Sequence, residues 1–240
     1  MTERFVGAMR LLEACGQPGC PVCRCVTQDG RQHLDALLYE QVTDVETRRR
    51  LRGSGGFCNW HTWMLLEIHG SRSGAAIIYA DLLGRLVESV RRDAVTPART
   101  RSWLRTARPR SRFWRRLPRQ TCPVCEDAAA AERRYLEGML EGSADAELQL
   151  AYARSDGLCG PHMLQAAALA AEQPGRSWLA ERTAAKWSRL RDDLARFVAK
   201  HDHRNREPFT AAEAAACERA FEVLSGARGV FGNDLHPPGS

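Results

Sequence analysis

A chain of 240 residues with 44% apolar content suits one large domain or two small ones and carries enough apolar side chains for a buried core, which excludes a disordered chain. No run approaches the roughly 18 consecutive apolar residues that a membrane helix needs, and Glu3, Arg4, Arg10 and Glu13 interrupt any apolar leader near the N-terminus. The expectation is therefore a cytoplasmic protein without a membrane partner, in a compartment where thiols stay reduced. The net charge of +6 is local: residues 91–119 hold eleven arginines against Asp93, so this stretch carries +10 and the remainder −4.

In chain order, the first strong signal is CPVC at Cys20–Cys23. Pro21 suits the first turn of a helix, with Cys20 near its cap. Residues 22–40 continue with apolar positions at three- and four-residue spacing, a helical period. Thr43 to Glu46 reads as a capping box that opens a short second helix. Gly55 and Gly56 break the chain before Cys58-Asn59-Trp60-His61, and this CxxH is expected to begin another helix. Residues 74–92 read as a long amphipathic helix.

Residues 94–120 are rich in Arg and Pro and read as a linker. Trp103, Phe113 and Trp114 are interleaved with its arginines, a mixture that can contact phosphates and stack on bases. Arg108, Arg110, Arg112, Arg115 and Arg116 are accordingly candidate nucleic-acid contacts. A solvated linker explains the same composition, because no recognised nucleic-acid motif accompanies it.

A second CPVC follows at Cys122–Cys125, 102 residues after the first. Pro123 again suits a first turn, and residues 124–142 repeat the helical spacing. Gly157 breaks the chain before Cys159-Gly160-Pro161-His162, a second CxxH. The two blocks match between motifs as well. Arg31, Leu34 and Leu38 lie at the same offsets as Arg133, Leu136 and Leu140, and Ser54, Gly56 and Phe57 match Ser155, Gly157 and Leu158. Residues 176–200 form a long helical pattern. Thr210 to Glu213 is a capping box for a last helix running to about 225. No segment reads as a strand.

The duplication implies an all-α protein of two related helical lobes, 1–93 and 121–240, joined by the linker 94–120. Six of the nine cysteines and two of the seven histidines fall in the repeated motifs. Three sulfurs and one imidazole form a closed tetrahedral set for Zn²⁺. Helix N-termini favour the thiolate form that binds metal. Two zinc ions are therefore expected. Cys20, Cys23, Cys58 and His61 are assigned to one site, and Cys122, Cys125, Cys159 and His162 to the other, because each lobe then closes by itself. A swapped arrangement, with each CPVC completed by the other lobe's CxxH, is the alternative. Iron–sulfur clusters are the alternative cofactor. Thioredoxin-like redox chemistry lacks its βαβ context. Ordinary buried thiols would need no fixed pairing with His.

The two CPVC/CxxH blocks, the Arg-rich linker and the stretch KHDHRNREPFT at 200–210 resemble an uncharacterised bacterial family with paired CPxC and CxxH motifs. The resemblance implies the fold and the metal sites and no activity. The family pattern carries Tyr where this chain has His203. Outside the repeat, Cys15, Cys25 and Cys217 read as buried thiols, and His33 aligns with Tyr135 as a ring position. Residues His201 to Glu207 are dense in acid–base groups, but they read first as a polar helix C-terminus, because no nucleophile or substrate pocket accompanies them. A closed four-ligand metal site leaves no position for water or substrate. The functional expectation is a binding or scaffold module with a protein partner. Its rivals are an electron-transfer or redox-sensing protein and a nucleic-acid-binding regulator.

Overall fold

The computed structural model describes the backbone of residues 2–95, 121–169 and 175–231, and side chains from residue 7 onward except those of 92–95. The described residues are helical, with no strand among them. The helices are α1 (Thr2–Cys15), α2 (Pro21–Glu40), α3 (Val45–Ser54), α4 (Asn59–Met64) and α5 (Arg72–Val95) in the first half. In the second half they are α6 (Pro123–Glu141), α7 (Ala146–Arg154), α8 (Gly160–Leu169), α9 (Gly175–Lys200) and α10 (Ala211–Ser225). The linker and its five candidate arginines, Arg108, Arg110, Arg112, Arg115 and Arg116, lie outside the described residues, apart from the end of α5.

Local chemistry sets these boundaries. Pro21 and Pro123 occupy the first position of α2 and α6, where a missing N–H costs nothing. The cap of α3 is Asp44, whose side chain accepts from the Thr47 N–H, one residue later than the box read from Thr43. Gly55 ends α3 at φ 73°, a left-handed conformation that glycine adopts without a Cβ penalty. The box at Thr210 and Glu213 is complete on α10, with both side chains bonded to the opposite backbone N–H. Helix α7, the counterpart of α3, is capped by Asp145 and was not evident from the periodicity.

Two compact units result, one discontinuous in the chain and one a single stretch. One gathers Met1–Asp29 with Ala128–Ser240, and the other is Gly30–Asp127. The expected division at residues 93 and 121 follows the repeat, whereas the compact units each take parts of both copies. In the larger unit, α1 packs along α7, α9 packs on α10, and α10 also touches α8. Its core includes Leu11, Val22, Val26, Leu136, Met139, Leu140, Tyr152, Leu158 and Leu179. The smaller unit is centred on Leu34, Leu37, Leu51, Met64, Leu65, Ile78 and Val124. Each such aliphatic side chain contributes about 1.5–3 kcal/mol on full burial. In the smaller unit Asp81 of α5 accepts from Arg52 of α3 at 2.8 and 2.9 Å, which pins these two helices together at the surface.

Candidate metal centres

All four motifs sit at helix starts. The carbonyls of Cys20, Cys58, Cys122 and Cys159 accept the first helical bond from Arg24, Thr62, Glu126 and Met163, at 3.1, 2.9, 3.1 and 2.9 Å. The second residue of each motif, Cys23, His61, Cys125 or His162, lies three positions on, in the first turn and on the same face. Each motif therefore presents two donor atoms from one helix N-terminus, where the dipole favours anionic sulfur.

The motifs meet across the repeat. Cys20 and Cys23 of the first CPVC join Cys159 and His162 of the second CxxH, while Cys58 and His61 join Cys122 and Cys125. Within each group the four donor atoms lie within 4.8 Å of one another. The local assignment is therefore corrected to the swapped one.

Helix lengths explain the exchange. Helix α2 spans 20 residues, about 30 Å at 1.5 Å per residue, and α3, with 10 residues, returns about 15 Å. The first CxxH is thus delivered beside the middle of α2 and not at its start. A Cβ built on Gly30, halfway along α2, would lie 3.5 Å from His61 Nε2. The second copy does the same: α6 and α7 have 19 and 9 residues, and His162 Nε2 lies 2.8 Å from Glu132, at the equivalent position on α6. Each CxxH is left one half-helix away from its own CPVC.

In the first centre, His162 Nδ1 lies 3.3, 3.4 and 3.2 Å from the sulfurs of Cys20, Cys23 and Cys159, and the Cys23 and Cys159 sulfurs are 3.7 Å apart. In the second, His61 Nδ1 lies 3.2, 3.6 and 3.4 Å from the sulfurs of Cys58, Cys122 and Cys125, and Cys58 and Cys125 are 3.6 Å apart. A zinc tetrahedron with Zn–S of about 2.3 Å and Zn–N of about 2.05 Å implies S···S of about 3.8 Å and S···N of about 3.6 Å. The four distances in each group lie within a few tenths of an ångström of those values, and all donor pairs are within 4.8 Å.

The donor groups strongly perturb one another's titration. Hydrogen bonds with Cys159 and Cys20, helped by burial, push the Cys23 thiol up. Cys20 is pushed down, because its bonds to Cys159, Cys23 and His162 outweigh burial. In the second centre, bonds with Cys122 and Cys58 push Cys125 up, and bonds with Cys125 and Cys58 pull Cys122 down. Burial opposes protonation of both histidines, yet the sulfurs hold His61 at about 9, and the sulfurs together with Glu132 hold His162 at about 11. Three sulfurs this close cannot all ionise without a cation among them.

The CxxH loop of the larger unit is held from several sides. The Tyr152 hydroxyl accepts from the Leu158 N–H at 3.1 Å and bonds Thr183 Oγ1 at 2.6 Å. Asp156 accepts from the Gly19 N–H at 2.7 Å and from Arg219 at 3.0 Å, which ties the approach to Cys20 to the approach to Cys159. Beyond α10, the Ala227 N–H points at Cys23 Sγ at 3.4 Å, and Phe231 meets the His162 ring edge-on at 4.9 Å.

The remaining candidates fall outside the two groups. Cys15 and Cys25 are buried thiols, raised by burial to about 11 and about 12. Cys217 is half-buried. His33 pairs with Asp127 at 3.1 Å, and Tyr135 donates to Asp29 at 2.8 Å. In the segment 200–207, His201 Nδ1 bonds the Phe197 carbonyl at 2.8 Å, and its ring packs against Phe197 and Phe209. His203 is exposed beside Asp202. Glu132 was missed. Its signal was a carboxylate ten positions after Cys122 in a repeat that has Gly30 there in the first copy.

The family described as "Family of unknown function (DUF6062)" matches residues 8–229, and the chain belongs to it. The chain is 25% identical over 218 residues to an "Uncharacterized 23.9 kDa protein in xynA 3'region" of Caldicellulosiruptor sp. (strain Rt8B.4), covering 90% of this chain and 99% of that protein. No solved structure matches.

Proposed function

We propose that this member of a family of unknown function is a zinc-dependent helical scaffold, with one structural zinc ion in each Cys3His group. One observation carries the reading: twice, three sulfurs and an imidazole nitrogen from segments far apart in sequence come within 4.8 Å of one another. Thiolates with imidazole are the donors zinc prefers, and four protein donors close the coordination shell. A closed shell offers no position to an attacking water, so the ions would act on folding and not on a substrate. Each ion would staple the start of α2 or α6 to the start of α8 or α4. The scaffold would then present its helical surface to a protein partner in the cytoplasm.

Elemental analysis and an absorption spectrum, on full-length protein purified without air, test the reading. Two zinc ions per colourless chain are expected. Iron with visible absorption would replace zinc by iron–sulfur clusters. A metal-free chain that is equally helical and equally resistant to heat would remove the metal from the account.

A further inference from the structure

The two donor sets are alike in composition and unlike in surroundings. The four residues of the Cys20 group are all buried, Cys23 and His162 completely. In the Cys58 group, Cys122 and His61 are buried but Cys58 and Cys125 are only half-buried. The segment after α10 also closes over the Cys20 group, through the Ala227 N–H on Cys23 and the ring of Phe231 on His162. No such segment covers the Cys58 group among the described residues.

The histidines differ as well. His162 Nε2 lies 2.8 Å from Glu132 Oε1, and the other carboxylate oxygen accepts from Gln165 at 3.5 Å. With a metal bound, this carboxylate would hold the proton on Nε2 and leave the Nδ1 lone pair facing the metal. Gly30 occupies the corresponding place beside His61 and offers no side chain. Among the described residues His61 Nε2 has no hydrogen-bond partner, although only 6% of the residue is exposed.

We propose, resting on the zinc reading above, that the centres divide the work: the Cys20 centre retains its ion permanently, and the Cys58 centre yields its ion to a competing ligand. A chelating nitrogen or sulfur must approach the metal before a protein thiolate leaves. The half-buried sulfurs of Cys58 and Cys125 leave that approach open, and the four buried donors around Cys20 close it. The departing thiolate takes a proton from water, with no change of oxidation state. His61, lacking a carboxylate, is the more weakly oriented ligand, whereas Glu132 holds His162 in place.

The test is zinc release from full-length, zinc-loaded protein into a large excess of 4-(2-pyridylazo)resorcinol, followed at the absorbance of the dye–zinc complex. Two phases of one zinc each are expected. The fast phase should disappear in the Cys58→Ala variant. Glu132→Gln should speed the slow phase about tenfold or more, the range for loss of such an outer partner, and leave the fast phase unchanged. Gly30→Glu, which places a carboxylate at the register of Glu132, should slow the fast phase. A Cβ there meets only ordinary contacts, so this variant reads the effect even if Glu132→Gln fails to fold. A single rate for both ions, or a slow phase that disappears with Cys58, would overturn the proposal while leaving two zinc centres standing. No change in the fast phase of Gly30→Glu would also overturn it. Fewer than two zinc ions on the loaded wild type would instead refute the zinc reading itself.

Discussion

Cys23 and Cys159 are 136 positions apart in the chain, and their sulfurs lie 3.7 Å apart. That contact joins the first CPVC to the second CxxH. A metal held there would tie together segments far apart in sequence, so its loss should be felt throughout the compact unit that contains it.

The pairing itself can be read by metal counting. The Cys20→Ala/Cys159→Ala double variant removes two ligands from one centre and should keep about one zinc per chain. Cys20→Ala/Cys58→Ala damages both centres and should keep none. Local pairing reverses the two results. Elemental analysis of the purified variants decides.

Chelation should unfold the chain cooperatively. Structural zinc ties folding to metal binding, because an unfolded chain has no preformed site. Excess chelator is expected to lower the thermal midpoint and the helical circular dichroism together, and added zinc should restore both.

Tyr152 is fully buried and holds both the Leu158 N–H and the Thr183 hydroxyl. Tyr152→Phe leaves a buried N–H without its acceptor next to Cys159. A loss of about 1–3 kcal/mol in urea unfolding is expected. The Tyr79 hydroxyl, 2.8 Å from Thr62 in the other unit, is less buried, and Tyr79→Phe should cost less.

Gly157 stands at φ +85°, and a Cβ there would lie 2.6 Å from Lys186 Cδ. The Lys186 ammonium is in turn bonded to the carbonyls of Ala153 and Ser155, which limits its retreat. Gly157→Ala should cost roughly 1–2 kcal/mol from the left-handed backbone alone. The variant's zinc affinity should fall with its stability, as measured by competition with a chelating dye.

Glu213 supplies a pH dependence with a definite sign. Hydrogen bonds from Lys200 and from the Thr210 N–H hold its carboxylate at about 2, below its ordinary 4.5. A carboxylate depressed in the folded state stabilises fully above the unfolded value and loses that contribution as pH falls. The difference in thermal midpoint between wild type and Glu213→Gln should therefore be largest above about pH 4.5 and shrink toward pH 2. An equal difference at both ends would mean that the Lys200 contact contributes nothing.

Much of the fold was legible in the residues. The helix starts at Pro21 and Pro123, the box at Thr210, and the eight metal-ligating candidates depend on chemistry within a few positions, and such local rules act before any tertiary contact forms. In the segment 200–207, His201 packs against Phe197 and Phe209, and the Lys200 ammonium is tied to Glu213.

The residue pattern by itself determined which side chains could bind metal, because ligand type and three-residue spacing on a helix are properties of neighbours. Only the tertiary structure decided which motif answers which. That outcome depends on a ratio of lengths: a 10-residue return helix cannot bring His61 back along a 20-residue α2 to Cys20, and it stops beside Gly30. The same geometry decided that His162 would meet a carboxylate and His61 would not. One position, Gly30 in one copy and Glu132 in the other, acquires its meaning only when the returning chain arrives beside it.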